Sequence, residues 1–221
     1  MTDSAFNPRL LLLALVGIAP FMVNGLVNSW IAHNPVLYWA FEMLTWVFIP
    51  GVVLWEVSRT PSFRFAWLGY HTELRGQRRI GLLLLACVLF SPLVYAVYDY
   101  CYAYFSELIP GEGFFSYDSI IPESGVLYVL VVVYFALSAG LVEEFLYRGL
   151  LFRALNGLRH VNLLFLLVSP LLFSLAHWED GAANLVATYV VGLFMAVAYL
   201  GFRNLWPLVA GHVFTDLAWF G

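Results

Sequence analysis

Glu143 and Glu144 stand side by side in the apolar run VVVYFALSAGLVEEFLYR, residues 131–148. Ionisable side chains inside hydrocarbon carry a free-energy cost, so those found there face a cavity or a partner and mark function. Two more polar motifs follow in apolar segments, Phe173-x-x-x-His177 and His212-x-x-x-Asp216. Glutamate, histidine and aspartate together supply a proton acceptor, a second proton carrier and polar groups that stabilise a developing oxyanion. The three motifs read as one buried site that does chemistry within a membrane.

Helical spacing divides the roles. Glu144 and Arg148 are i,i+4, so the arginine can neutralise the acid on one helix face. Glu143 points about 100° away and has no such partner in its own helix, which leaves it as the candidate active carboxylate. His212 and Asp216 are also i,i+4 and can face one cavity, while the Phe173 ring can pack against the His177 imidazole. Each motif alone has a plainer reading. Glu144 with Arg148 can be a structural ion pair, His177 an interfacial residue, and His212 with Asp216 a structural hydrogen bond. Their occurrence on consecutive apolar segments favours one buried site.

The elements that position them are membrane helices. The 221 residues are 62% hydrophobic and 11% charged, outside the range of soluble domains. The expected fold class is all-α, a polytopic helical bundle of about seven transmembrane helices (six to eight) forming a single integral membrane domain over 1–221. The spans are expected at about 9–32, 36–57, 80–104, 125–155, 160–177, 184–201 and 205–220, the first a retained span rather than a cleaved signal. Pro20, Pro50 and Pro92 should kink spans or sit near their ends. Gly140 and Ser138 should let helices approach closely. The pI near 5.7 and the absence of a basic tail argue against nucleic acid. Cys87 and Cys101, 14 residues apart in one helix, are about 21 Å apart and cannot bridge each other.

All ten basic residues are arginine. Arg59, Arg64, Arg75, Arg78 and Arg79 share one connection, Arg153 and Arg159 flank the turn near Gly157, and Arg203 lies in the last turn. Glu107, Glu112, Asp118 and Glu123 share a loop without arginine, and Glu179 with Asp180 follows the fifth span. With alternating spans the arginine-bearing loops fall on one face, which makes that face and the N-terminus cytoplasmic. From the turns near Gly157 and Arg203, Glu143 lies about 21 Å deep, His177 about 30 Å, His212 about 14 Å and Asp216 about 20 Å. These depths suit one site, with His177 set nearest the opposite interface. Glu42 is expected to line the cavity or pair with an arginine. His33, His71 and His160 read as solvated, and Asp99 with the tyrosines from Tyr95 to Tyr104 as interfacial.

The ordered set Glu143-Glu144-x-x-x-Arg148, Phe173-x-x-x-His177 and His212-x-x-x-Asp216 resembles the three signatures of the CPBP (CAAX protease and bacteriocin-processing, or Abi) family of intramembrane proteases. The likeness covers about 131–221 and extends in overall size to the bacterial CAAX prenyl protease-related group. It implies a membrane endopeptidase, with Glu143 and His177 activating water. His212 and Asp216 would hold the site or stabilise the oxyanion, and Glu144, Arg148 and Phe173 would support them. The family pattern often has Asn where this chain has Asp216; Asp accepts but donates only when protonated, so orienting His212 is its expected task. The family is commonly labelled metalloprotease. If a metal such as zinc is bound, Glu143, His177 and His212 are its expected ligands, although the His-Glu-x-x-His motif is absent.

The expected function is cleavage of a membrane-associated or lipidated protein or peptide, with membrane lipid as the surrounding partner, in a bacterial inner (cell) membrane. A non-proteolytic membrane scaffold, assembly or immunity protein on the same fold is the alternative. A proton-coupled transporter is disfavoured because no internal repeat is visible.

Overall fold

The structure is a computed structural model that describes residues 6–61, 63–72 and 80–221. Arg75, Arg78 and Arg79 of the basic connection lie outside the described residues. Seven apolar helical segments follow one another, with no strand among the described residues. They are α1 (Pro8–Ile31), α2 (Pro35–Ser58), α3 (Ile80–Leu108), α4 (Gly125–Leu155), α5 (Val161–Leu175), α6 (Ala182–Phe202) and α7 (Trp206–Phe220). The first four and α6 are long and apolar enough to cross a membrane. The fifth ends two residues earlier than the sequence suggests and the seventh lies where it suggests; each has 15 residues and a length of about 22 Å.

Local chemistry sets the starts and irregularities. Asn7 and Asn34 each precede a proline at the first helical position, and their side chains accept hydrogen bonds from the second and third backbone amides beyond them. That satisfies donors a helix N-terminus leaves open. Pro20 coincides with a 3₁₀ stretch, Ala19–Val23, inside α1. In α2 a π turn at Leu44–Phe48 directly precedes the Ile49-Pro50 step. A second π turn, Glu144–Leu150, lies inside α4.

One hydrophobic core draws on all seven segments, for example Ala14, Val53, Val94, Leu146, Phe165, Met195 and Leu208. The α7 helix packs between α3 and α4, α6 between α3 and α5, and α1 against α2 and the end of α4. Leu12, Val16, Leu84, Val88, Val126, Leu130 and Val197 point outward and exposed. Apolar surface on this scale suits a lipid-facing layer and not water.

The two ends of the bundle differ as the loop charges suggest. At one end Arg153 Nε donates to Trp67 O at 2.6 Å, Leu205 N to Gly69 O at 3.0 Å, and Asn204 Nδ2 to His71 O at 2.7 Å. His71, expected to be solvated, is instead fixed there, its Nε2 2.8 Å from Arg203 O. The α4–α5 and α6–α7 turns owe their tightness to left-handed backbone at His160 and Arg203. At the other end Phe114 N donates to Glu179 O at 2.8 Å and Trp178 Nε1 to Met22 O at 3.0 Å, bringing the acidic loops onto α1.

The approach of α4 to α7 depends on Gly140, where a Cβ would lie 2.5 Å from Val213 Cγ2 and 3.3 Å from the Val209 carbonyl oxygen. Gly51, by contrast, faces open space. Gly140→Leu should therefore lower stability in detergent by about 1–3 kcal/mol, read as a reduced Tm, whereas Gly51→Ala should leave Tm unchanged or slightly raised. Equal behaviour of the two variants would contradict this account of the α4–α7 contact.

Candidate active site

Every residue from Glu143 to Leu150 is buried, so this stretch of α4 is enclosed on all sides rather than presenting one face to lipid. The π turn places Glu144 and Arg148 in that enclosure. π turns are uncommon and recur at functional sites. Arg148 is fully buried and donates through Nη1 to Glu144 Oε1 at 2.9 Å. The same oxygen accepts from His212 Nδ1, also at 2.9 Å. Since a carboxylate only accepts, His212 carries its hydrogen on Nδ1 in this contact.

The other edge of the His212 ring meets two further acids. Its Nε2 lies 3.7 Å from Glu143 Oε2 and 3.8 Å from Asp216 Oδ2. Asp216 thus stands outside hydrogen-bond reach, and the contact that orients His212 comes from Glu144 instead of the expected Asp216. Glu143 is almost wholly buried and its Oε2 has no hydrogen-bond partner among the described residues.

Phe173 joins the motifs. Its carbonyl oxygen lies 2.8 Å from His177 Nδ1 and can only accept, which leaves the lone pair of His177 on Nε2. Its ring lies 4.7 Å from the His177 ring and 5.9 Å from that of His212, and the Arg148 guanidinium sits over it at 4.4 Å. The aromatic face thereby meets a cation that is already paired. His177 follows the end of α5 by two residues. Glu143, Glu144, Phe173, His177, His212 and Asp216 all line one cavity of about 160 Å³.

Three acids that the sequence assigned elsewhere or left open line it as well. Glu42 receives a hydrogen bond from Tyr38 Oη at 2.7 Å and pairs with no arginine among the described residues. Glu179 and Asp180, which read as loop acids, turn into the cavity. The i,i+4 pair Tyr38/Glu42 inside an apolar span was a signal for the first. Nothing in the sequence around Trp178–Asp180 announces that Glu179 is buried.

The zinc option depends on whether three ligands converge. Zinc takes nitrogen and oxygen ligands at about 2.0–2.2 Å, so its ligands crowd one another closely. Among the described residues no three His, Cys, Asp or Glu side chains are grouped to hold a metal ion. The Glu143, His177 and His212 arrangement does not fit such an ion, and the metalloprotease expectation has no support in it.

Comparison with known proteins bears on the stretch of the chain that holds these motifs. No curated protein and no solved structure matches it. A family model described as Rce1-like, type II CAAX prenyl endopeptidase Rce1-like, matches residues 125–218. That stretch begins with α4 and contains all three motifs. Over residues 125–218 the chain is similar to that family, in agreement with the CPBP/CAAX protease resemblance that the motifs carry.

Proposed function

We propose that this protein is an intramembrane endopeptidase that hydrolyses a peptide bond in a membrane-associated or lipidated protein, with Glu143 as general base. The observation that carries the reading is Glu143 Oε2: buried, without a hydrogen-bond partner among the described residues, and facing the cavity shared with His177 and His212. The Rce1-like match over the same stretch supports peptide-bond chemistry as the task.

In this reading Glu143 removes one proton from a water molecule, while His177 Nε2 accepts a hydrogen bond from the remaining O–H and holds it in line. The water oxygen bonds to the carbonyl carbon and the carbonyl becomes an oxyanion. His212, with Nδ1–H held by Glu144, presents Nε2; when that nitrogen is protonated it donates to the oxyanion. Glu143 Oε2 and Asp216 Oδ2 lie 3.7 Å and 3.8 Å from that nitrogen. The proton on Glu143 then passes to the departing amine as the C–N bond breaks. Arg148 neutralises Glu144 so that a carboxylate can stand in this position at all.

We further read the chain as one integral membrane domain in a bacterial inner membrane. The end bearing Arg59, Arg153 and Arg203 would be cytoplasmic, and the N-terminus with it. Lipid and a membrane-held protein are its partners in that reading.

Glu143→Gln keeps shape and removes the base, so it should reduce cleavage by roughly 10²–10⁴-fold. The measurement is a comparison of protein N-termini in membranes from cells making wild type or the variant at matched levels. New N-termini seen only with wild type support the proposal; identical profiles with a folded variant favour a scaffold, assembly or immunity role. Chelation by 1,10-phenanthroline or EDTA should leave cleavage unchanged, because no step depends on a metal. Loss of activity restored by added zinc would overturn that part.

A further inference from the structure

The cavity has a second end that the hydrolytic mechanism does not use. There Glu42 and Glu179 are 1% and 2% exposed, and each carries an Oε2 atom with no hydrogen-bond partner among the described residues. Both line the cavity, together with Asp180. Tyr117 lies among these three acids and feels the charge of each. Glu179 in turn feels the charge of Glu143, so this end is electrostatically continuous with the proposed reaction centre.

The local structure is built around this arrangement. A Cβ on Gly25 of α1 would fall 2.3 Å from Glu179 Cγ, so only glycine leaves room for that side chain. A Cβ on Gly113 would likewise collide with the Glu179 carbonyl oxygen. Asn24 donates to Tyr117 Oη, and Tyr38 donates to Glu42 at 2.7 Å. In both glutamates one carboxylate oxygen, Oε2, is left without a hydrogen-bond partner among the described residues.

The charge balance names the chemistry of what fits. Six acids line the cavity: Glu42, Glu143, Glu144, Glu179, Asp180 and Asp216. Against them stand His177 and His212, with Arg148 committed to Glu144, and no arginine among the described residues lines the cavity. Buried carboxylates without partners are unfavourable unless a cation or a proton joins them. Burial pushes the Glu179 carboxyl up to about 8, with Asp180 and Glu143 adding to the effect. A cation entering beside it would favour its ionised form. A bare metal ion does not suit the place, since no ligand-like grouping of acids occurs among the described residues. A cation on a long side chain, with several donors that reach separate carboxylates, does.

Resting on the endopeptidase reading, we propose that Glu42 and Glu179 form a subsite for a basic side chain, arginine or lysine, of the protein substrate near the bond to be cut. The segment bound would be apolar to enter the membrane and would carry one cation to occupy this end. Apolar sequence alone would then be a poor substrate, and a single buried charge would set register.

The test is equilibrium binding to the full chain in detergent, carrying Glu143→Gln to prevent turnover. The probes are fluorescent apolar decapeptides in which one arginine is walked through the positions, each paired with its citrulline counterpart, which is nearly isosteric and uncharged. At one or two positions arginine should bind about tenfold or more tightly than citrulline. Glu42→Gln or Glu179→Gln should erase that preference, and Glu123→Gln, at an exposed acid, should retain it. Equal affinity for arginine and citrulline at every position would overturn the subsite, and that comparison needs no pocket variant to fold. Because binding is read without cleavage, an inactive wild type would count against the endopeptidase reading alone.

Discussion

A single carboxylate oxygen, Oε1 of Glu144, accepts from both Arg148 and His212, at 2.9 Å each. It joins α4 to α7 across 68 residues of sequence and fixes which nitrogen of His212 is turned away toward Glu143 and Asp216. Removing either donor would leave a buried charge with too few partners, a change that typically destabilises by about 3–5 kcal/mol. The adjacent glutamates are therefore unequal. One is held by a cation and an imidazole, and the other has an oxygen without a hydrogen-bond partner among the described residues.

Phe173 gives the arrangement its shape. Its backbone oxygen sets the His177 tautomer, and its ring supports that imidazole and the Arg148 guanidinium. The hydrogen bonds of Glu144 and the aromatic contacts of Phe173 bring together helices that the sequence separates. The π turn of α4 matters for the same reason. A regular helix at the bundle surface shows one side to lipid, whereas Glu143–Leu150 is enclosed throughout.

Much of this was legible in the chain because intramembrane charge is so constrained. Glu144 with Arg148, and His212 with Asp216, lie at helical spacing, and the apolar runs indicate their helices. The small residue Gly140 does mark a close approach. The tertiary hydrogen bond from His212 to Glu144 was not legible, because spacing pairs His212 with its neighbour Asp216 and says nothing of a partner 68 residues away. Nor was the burial of Glu179, because Trp178-Glu179-Asp180 after an apolar helix reads like any polar loop. Its enclosure arises from Gly25 and Gly113, which leave a space that is visible only once α1 and the loop after α3 are folded against it. The π turn also has no signature in the spacing of apolar residues, since every side of that segment is apolar or buried.

The shortness of α5 has a further consequence for the surrounding bilayer. At about 22 Å it is shorter than a hydrocarbon layer of about 30 Å, so the irregular backbone from Ala176 to Gly181 begins below the lipid surface. Peptide groups outside a helix persist at such depth only where protein or water satisfies them. A bilayer around α5 would have to thin there or admit water close to His177, two residues beyond the helix end. Hydration of this one flank would bring water to the residues that line the cavity without an aqueous channel through the whole bundle.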